Sequence, residues 1–179
     1  MKARLLSLSA ALVLLLGLAT TASAQDPRDV RLAGDIAQSI DRYTRLTIFD
    51  HIGATVENGV VTLTGKVTMP YKKDDIAKRI AKVDGVRGVR DGVEVLPVSI
   101  YDDELRYRVA RAIYGNSSFW TYASMANPPI HIIVEGGRVT LAGVVNSNVE
   151  RMLARSLATG LGELSVTNAL RTDAEAKSH

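Results

Sequence analysis

Groups that could perform acid–base, nucleophilic or metal chemistry are sparse in this 179-residue chain. It has no cysteine and three histidines, His51, His131 and His179. The motifs H-x-x-x-H and E-x-x-H, in which one helical turn brings two metal ligands together, are absent. His131 alternates with Ile130 and Ile132, so in a strand it points to the opposite face. We therefore expect no metal site and no cofactor.

The acidic run Asp102-Asp103-Glu104 is the other candidate for catalysis, because paired carboxylates can act as acid and base. This run directly precedes a predicted helix, where negative charge stabilises the positive end of the helix dipole. Capping of that helix is the preferred interpretation. The sequence thus predicts that the protein is not an enzyme.

The strongest candidate for a binding site is the helix that follows this acidic run. Its inner face is predicted to be an apolar stripe of Leu105, Val109, Ala112 and Ile113. Tyr107, Arg111 and Tyr114 recur at spacings of four and three residues, roughly on the opposite face. Arg106 and Arg108 lie beside them in the sequence. The helix thus combines a buried face with an aromatic and basic one.

The segment 114–129 extends this aromatic character and contains Trp120, the only tryptophan of the chain. Tyrosine and tryptophan favour the headgroup zone of a membrane, and arginine can bind phosphate groups. The predicted contact residues are Arg106, Tyr107, Arg111, Tyr114, Phe119, Trp120 and Tyr122. Two alternatives stay open at this point: these residues contact a membrane or a partner, or they fill a contact between two parts of the chain.

The elements that must position these residues form a repeat. Residues 55–67 return as residues 133–145, each time as two alternating strands around a turn. The turn dipeptides, Asn58-Gly59 and Gly136-Gly137, allow the positive φ angles of a tight hairpin. Gly65 and Gly143 interrupt the second strand at the same place, which predicts a bulge or a close approach of another element. We therefore predict a structural role, rather than a role in binding or catalysis, for Gly59, Gly65, Gly137 and Gly143.

Each copy of the repeat reads as helix, strand, strand, helix, strand. A right-handed crossover makes the second and third strands parallel. The predicted fold class is α+β, with two tandem αββαβ modules that each carry a three-stranded mixed sheet and two helices on one face. The first module spans residues 26–97 and the second spans residues 99–171. The polar segment 172–179 is predicted to be a disordered tail.

The two copies differ in spacing. The first helices align at an offset of 69 residues if Ile36 matches Leu105, whereas the hairpins align at 78 residues. On this alignment the second module has gained nine residues between its first helix and its hairpin. The gain coincides with the aromatic loop 114–129.

The N-terminal residues 1–24 have the pattern of a secretory signal peptide. Lys2 and Arg4 precede an apolar run, and Ala22-Ser23-Ala24 is a cleavage site. Removal of the two basic residues lowers the formal net charge from +3 to +1, which argues against nucleic-acid binding. The predicted second helix of the first module carries Lys72, Lys73, Lys78, Arg79 and Lys82, interpreted as a solvated face. We expect an exported protein that is released into the periplasm.

Both modules resemble the BON family of bacterial periplasmic and nodulation proteins. The motif G-x-V-x-L-x-G occurs at 59–65 and again at 137–143. A second motif, G-V-x-x-V-x-[ND], occurs at 85–91. The second copy, at 162–168, has Glu163 in place of an apolar residue, which suggests a local register shift. The resemblance implies an αββαβ fold, no catalysis and binding to phospholipid or other envelope components.

The resemblance and the aromatic residues together predict a non-enzymatic periplasmic binding protein. Its expected partner is the surface of an anionic phospholipid membrane, and its expected role is support of the envelope under osmotic stress. The alternative is an adaptor or chaperone-like factor that uses the same aromatic residues for an envelope protein. A second copy of the chain, in a weak homo-oligomer, is a further expected partner.

Overall fold

The computed structural model describes residues 26–177 as two consecutive sets of helices and strands. The first set comprises α1 (Pro27–Asp41), β1 (His51–Glu57), β2 (Val60–Val67), α2 (Pro70–Ile80), β3 (Gly88–Asp91) and β4 (Glu94–Val95). The second set comprises α3 (Ile100–Tyr114), a 3₁₀ helix (Ser117–Phe119), α4 (Trp120–Ala123), β5 (Ile130–Glu135), β6 (Arg138–Val145), α5 (Asn148–Leu157), β7 (Ser165–Thr172) and α6 (Asp173–Lys177). The predicted signal peptide lies outside the described residues. Within residues 26–177, no helix has the length and apolar character needed to span a membrane.

Each set forms one module around a mixed sheet. The hairpins β1–β2 and β5–β6 are antiparallel, and β3, β4 and β7 pair in parallel with the second strand of their module. Asn58 has a φ of 52° and Gly136 a φ of 56°, as the tight turns require. The predicted fold class is confirmed. The third strand of the first module is divided into β3 and β4, which keep one register along β2.

The two helices of each module cover one face of its sheet. In the first module the core contains Leu32 and Ile36 of α1 together with Ile76 and Ile80 of α2. In the second module, α3 supplies Leu105, Val109 and Ile113, and α5 with its C-cap supplies Ala154 and Ala158. Met152 of α5 is 67% exposed, whereas Ala154 of the same helix is fully buried.

An aspartate in the first turn of α1 or α3 ties the helix to the hairpin turn of its module. The Asp29 carboxylate accepts hydrogen bonds from the Asn58 and Gly59 amides at 2.6 and 3.0 Å. The Asp102 carboxylate accepts from the Gly136 and Gly137 amides, both at 2.8 Å. Asp102 is only 2% exposed. It therefore anchors the turn as well as complementing the helix dipole.

These matching contacts correct the alignment of the two copies. Asp29 corresponds to Asp102, and Ile36 therefore corresponds to Val109 rather than to Leu105. The second module has gained five residues before its hairpin, not nine. The sequence alignment was wrong by about one helical turn because an apolar stripe that repeats every 3.6 residues matches itself after such a shift.

The additional residues of the second module build a lid over its own core. The 3₁₀ helix and α4 place Phe119 and Tyr122 in the core cluster, with 0% and 5% exposure. The Tyr122 hydroxyl donates to the Glu150 carboxylate at 2.7 Å and accepts from the Asn146 amide at 3.0 Å. The aromatic loop is thus largely a structural element.

The C-terminal part of the second module is more ordered than the sequence suggests. β7 continues to Thr172, and α6 occupies part of the segment predicted to be a disordered tail. The Arg151 guanidinium holds the Glu175 carboxylate at 3.0 Å, which fixes α6 against α5. The register shift expected at Glu163 is also absent, because the Leu164 amide bonds the Gly137 carbonyl as the Arg87 amide bonds that of Gly59.

Gly65 and Gly143 lie where another backbone approaches, as predicted. Both have φ angles near 110°, and a Cβ at Gly143 would lie 1.9 Å from the Pro129 carbonyl oxygen. A Cβ at Gly65 would lie 2.1 Å from the His51 carbonyl oxygen. Each module thus uses a glycine to let the start of its first strand cross the second strand.

Replacing Asp102 with Ala should lower the free energy of unfolding of the second module by about 2 kcal/mol, because two amide donors of a tight turn lose a charged acceptor. Urea unfolding followed by circular dichroism measures this change. The exposed Glu104 on the same helix provides the matched control, and Glu104→Gln should leave stability unchanged. Equal stability of Asp102→Ala and the wild type would contradict the anchoring role.

Candidate functional site

The two modules meet along the open edge of β5. The loop between α1 and β1 runs beside this edge, and the Ile132 amide donates to the Ile48 carbonyl at 2.6 Å. Phe49 contacts Tyr107 edge to face, with 5.3 Å between ring centres. The Lys66 ammonium lies 2.5 Å from Glu135 of the second module. Hydrogen bonds, apolar contacts and an ion pair therefore join the modules.

Three of the seven predicted contact residues are inside the second module. Phe119 and Tyr122 belong to its core, and burial raises the pKa of Tyr122 to about 12, with the Glu150 hydrogen bond adding to the shift. Arg106 is 4% exposed and donates to the Val134 carbonyl at 2.7 Å. It also pairs with Asp103. The expectation that these three side chains contact a membrane or partner is therefore corrected.

Tyr114 is half-buried rather than outward-facing. It packs against the core of the second module, and its hydroxyl bonds the Ile130 carbonyl. Burial raises its pKa above the usual range. The helical spacing of Tyr107, Arg111 and Tyr114 does not place all three on the solvent face, because the last turn of α3 is covered by the start of β5.

The remaining three predicted residues are at the surface. Tyr107 is 63% exposed and Trp120 is 66% exposed, and Arg111 also faces solvent. Helix α4, which carries Trp120, packs against α3. We call Tyr107, Arg111 and Trp120 the exposed aromatic surface. It is smaller than the sequence predicts, and it belongs to the second module alone.

Comparison of the modules shows that this surface is not required by the fold. With Asp29 matched to Asp102, Tyr107 corresponds to Gly34 and Arg111 corresponds to Gln38. Arg108, likewise exposed on α3, corresponds to Asp35. At these three matched positions, the side chains are small, acidic or neutral in the first module and aromatic or basic in the second.

The sequence reasoning missed a second exposed apolar group near the hairpin tip of the second module. Ile100 and Leu164 are 79% and 73% exposed, and Tyr101 is 47% exposed. The Arg108 guanidinium lies over the Tyr101 ring, 5.9 Å from its centre. A signal for Leu164 was present, since this residue follows Glu163, where the repeat departs from its pattern.

Two histidines that the sequence separates by 80 positions face each other across the modules. The ring centres of His51 and His131 lie 5.2 Å apart. Burial, together with His131 and Arg171, lowers the pKa of His51 to about 4. Burial also lowers the pKa of His131, against the opposing effect of nearby Asp50 and Thr47 backbone groups. Both rings are therefore neutral at neutral pH.

In the part of the chain from 26 to 177, no cluster of three or more histidine, cysteine, aspartate or glutamate side chains could hold a metal ion. Beside the histidine pair, Asp50 is occupied by its own partners, which include the Lys72 ammonium at 2.6 Å. The geometry of the described residues offers surfaces and a cleft for binding.

A model of the BON domain matches this chain twice, at residues 28–97 and 102–174. The chain belongs to the BON domain family. The two matches coincide with the two structural modules, so each module is one BON domain. The aspartate anchors and the hairpin glycines occur in both and can therefore be understood as parts of one repeated BON framework.

Comparison with curated proteins gave no match. Among solved structures, the chain is similar to CdsD, a structural protein of the type III secretion system of Chlamydia trachomatis, at 16% identity and a TM-score of 0.29. That match covers 83% of this chain and 96% of the other. The C-terminal domain of CdsD gives the same identity and TM-score, with 79% of this chain and 96% of the other covered. These low scores carry no argument about this BON protein.

Proposed function

We propose that this chain is a non-catalytic periplasmic protein that binds the surface of anionic phospholipid membranes and supports the bacterial envelope under osmotic stress. The observation that carries the proposal is the exposed aromatic surface, which the second BON domain has and the first lacks. Tyr107 also contacts Phe49 of the first domain, so the proposal depends mainly on Arg111 and Trp120, which are exposed and have no aromatic or basic counterpart in the first domain.

The composition of this surface fits a membrane interface. The Trp120 ring is available to enter the headgroup zone, where tryptophan is favoured over both water and the hydrocarbon core. Arg108 and Arg111 can approach lipid phosphates, and each basic residue near an anionic membrane contributes about 1 kcal/mol. Binding of this strength is weak and reversible. It suits a protein that samples the membrane surface.

Arg111→Gln should weaken binding to anionic vesicles roughly fivefold, the equivalent of about 1 kcal/mol. Trp120→Ala should weaken it by a similar factor, because the side chain that enters the interface is lost. Co-sedimentation of the mature protein with phosphatidylglycerol vesicles, compared with phosphatidylcholine vesicles, measures both effects. Added salt should reduce the binding further, since screening acts on exposed charges.

Tyr71→Ala provides the matched control, because Tyr71 is an aromatic residue of the first domain with 46% exposure. It should bind vesicles as the wild type does. Binding that is equal for all variants, or absent with both lipids, would overturn the proposal. In that event the exposed aromatic surface would serve an envelope protein or a second copy of the chain, and the size of the free protein in solution would separate these two.

A further inference from the structure

A cleft of about 750 Å³ lies between the two BON domains, and its lining includes none of Tyr107, Arg111 and Trp120. Its walls come from α1, the loop before β1 and the start of β1 on one side, and from the loop before β5 and the strands β5, β6 and β7 on the other. A volume of this size at a domain boundary is typical of small-molecule sites. Its lining has a basic part and an apolar part, and both domains contribute to each.

One wall of the cleft is basic. Arg171 lines it beside the rings of His51 and His131. The Nδ1 atom of His131 is buried and has no hydrogen-bond partner among the described residues. A buried polar atom without a partner is costly, but the Nδ1 atom is shielded from water-sized groups and is not itself open to the cleft. The basic wall thus offers one charged group, the Arg171 guanidinium.

The first domain shows that Arg171 is arranged differently from its counterpart. Along the parallel strand pairs, Lys66 faces Glu94, and the two form an ion pair at 2.9 Å. At the corresponding place in the second domain, Val144 faces Arg171. The carboxylate and ammonium of the first domain are thus replaced by an arginine and an apolar side chain that both line the cleft. Within residues 26–177, Arg171 forms no ion pair.

The remaining lining is mainly apolar. It includes Ile40, Leu46, Ile48, Ile52, Pro129 and Val144. These side chains belong to both domains, so an apolar ligand body between them would bury surface on each. Asp50 also lines the cleft, but its charge is neutralised by Lys72. Asp41 lines it as well, and both Asp41 and Arg171 are exposed to solvent, so water screens both charges until a ligand covers them.

We infer that this cleft binds a small amphiphile with one carboxylate and an alkyl chain. Arg171 pairs with the carboxylate, and the alkyl chain lies against the isoleucine and proline side chains. The cleft and the exposed aromatic surface consist of different residues. Binding of the amphiphile can therefore be tested independently of vesicle binding.

Isothermal titration calorimetry of the mature protein with dodecanoate tests the inference. We expect saturable binding of one molecule per chain. Acetate, which lacks the chain, and dodecyltrimethylammonium, which has the opposite charge, should each bind at least tenfold more weakly. Equal binding of the ammonium compound would overturn the assignment of the basic wall, and absence of dodecanoate binding would overturn the inference as a whole.

Substitutions locate the site. Arg171→Gln should weaken dodecanoate binding roughly tenfold, and Arg171→Lys should restore part of it. Asp41→Asn should strengthen binding, because it removes a negative charge from the lining. Arg111→Gln, which alters the exposed aromatic surface, should leave dodecanoate binding unchanged while it weakens vesicle binding. If Arg111→Gln and Arg171→Gln reduce dodecanoate binding equally, the cleft is not the site.

Discussion

Replacing Lys72 with Met should destabilise the first BON domain by about 3–5 kcal/mol, because it removes one partner of a buried ion pair. Lys72 is 3% exposed and Asp50 is 1% exposed. Their charged atoms lie 2.6 Å apart. Methionine keeps the length and apolar stem of lysine, so the effect reports the lost charge rather than a cavity. It is the largest single-residue effect that we expect.

Asp50 would remain as a buried carboxylate held by four neutral donors. The Thr47 amide and hydroxyl both lie at 2.8 Å, and the Thr68 amide and hydroxyl lie at 2.7 and 2.9 Å. Burial alone would raise the pKa of Asp50, but the hydrogen bonds from Lys72, Thr68 and Thr47 outweigh it and lower the pKa. Without Lys72 the pKa of Asp50 should rise, and the domain should become sensitive to acid at a higher pH.

Urea unfolding gives the change in stability, and hydrogen–deuterium exchange shows where it occurs. Protection should fall in β1, β2 and α2, while β6 and β7 of the second domain keep theirs. Lys78→Met, an exposed position on the same helix, is the matched control and should be neutral. A Lys72→Met protein as stable as this control would show that the four neutral donors alone satisfy Asp50.

The double variant Lys72→Met with Asp50→Asn separates the charge from the packing. Because it leaves no charge buried, it should be more stable than Lys72→Met alone, although it lacks the native ion pair. A double variant that is less stable than Lys72→Met would mean that the carboxylate contributes mainly through its threonine hydrogen bonds.

Local patterns in the sequence were sufficient for the fold. The alternation of apolar residues and the turn dipeptides predicted both hairpins, and Gly65 and Gly143 predicted the close backbone approach. These signals are local, since a turn and its two strands are contiguous in the chain. The burial of Lys72 was not predictable in this way, because its partner Asp50 lies 22 positions earlier in a loop.

The candidate site was predicted less well, for two physical reasons. A helical stripe is ambiguous by one turn, and only the contact between Asp102 and the hairpin fixes which residues of α3 correspond to those of α1. Aromatic residues in a loop can also face either way. Phe119 and Tyr122 close the core, while Trp120 between them is exposed, and residue type alone does not distinguish these positions.

The contact between the domains depends on pairs that are distant in sequence and carry no motif. His51 and His131 are unremarkable as single residues, and each lies on the outer face of its own sheet. The two rings come together only because the loop before β1 packs along β5 in the folded protein. A sequence pattern therefore gives the two domains but neither their interface nor the cleft.

The same histidine pair predicts that acid destabilises the protein. An unfolded histidine has a pKa of about 6.5, whereas that of His51 in the folded protein is about 4. Between these values the unfolded chain binds a proton that the folded chain does not, so the free energy of unfolding falls as the pH falls from 6.5 to 4. Above pH 7 the contribution of His51 is complete and constant.

The loss expected from His51 is about 2–4 kcal/mol over this window, and His131 adds to it in the same direction. The groups around the pair oppose one another. Arg171 disfavours a charged His51, while Asp41 and the backbone near Asp50 favour a charged His131. Asp50 itself contributes in a separate window, because its lowered pKa makes its stabilisation disappear only at lower pH.

Urea unfolding between pH 7.5 and 4.5 measures the slope that the histidines produce. His51→Gln carries no titrating group at this position, so its stability should depend less on pH than that of the wild type, and the double variant with His131→Gln should be nearly flat above pH 5. Equal slopes in the wild type and the double variant would assign the acid sensitivity to carboxylates. If the double variant loses the pH dependence of the free energy of unfolding, protonation of the two histidines opposes the contact between the domains. The reason is that two imidazolium rings 5.2 Å apart would repel each other beside Arg171.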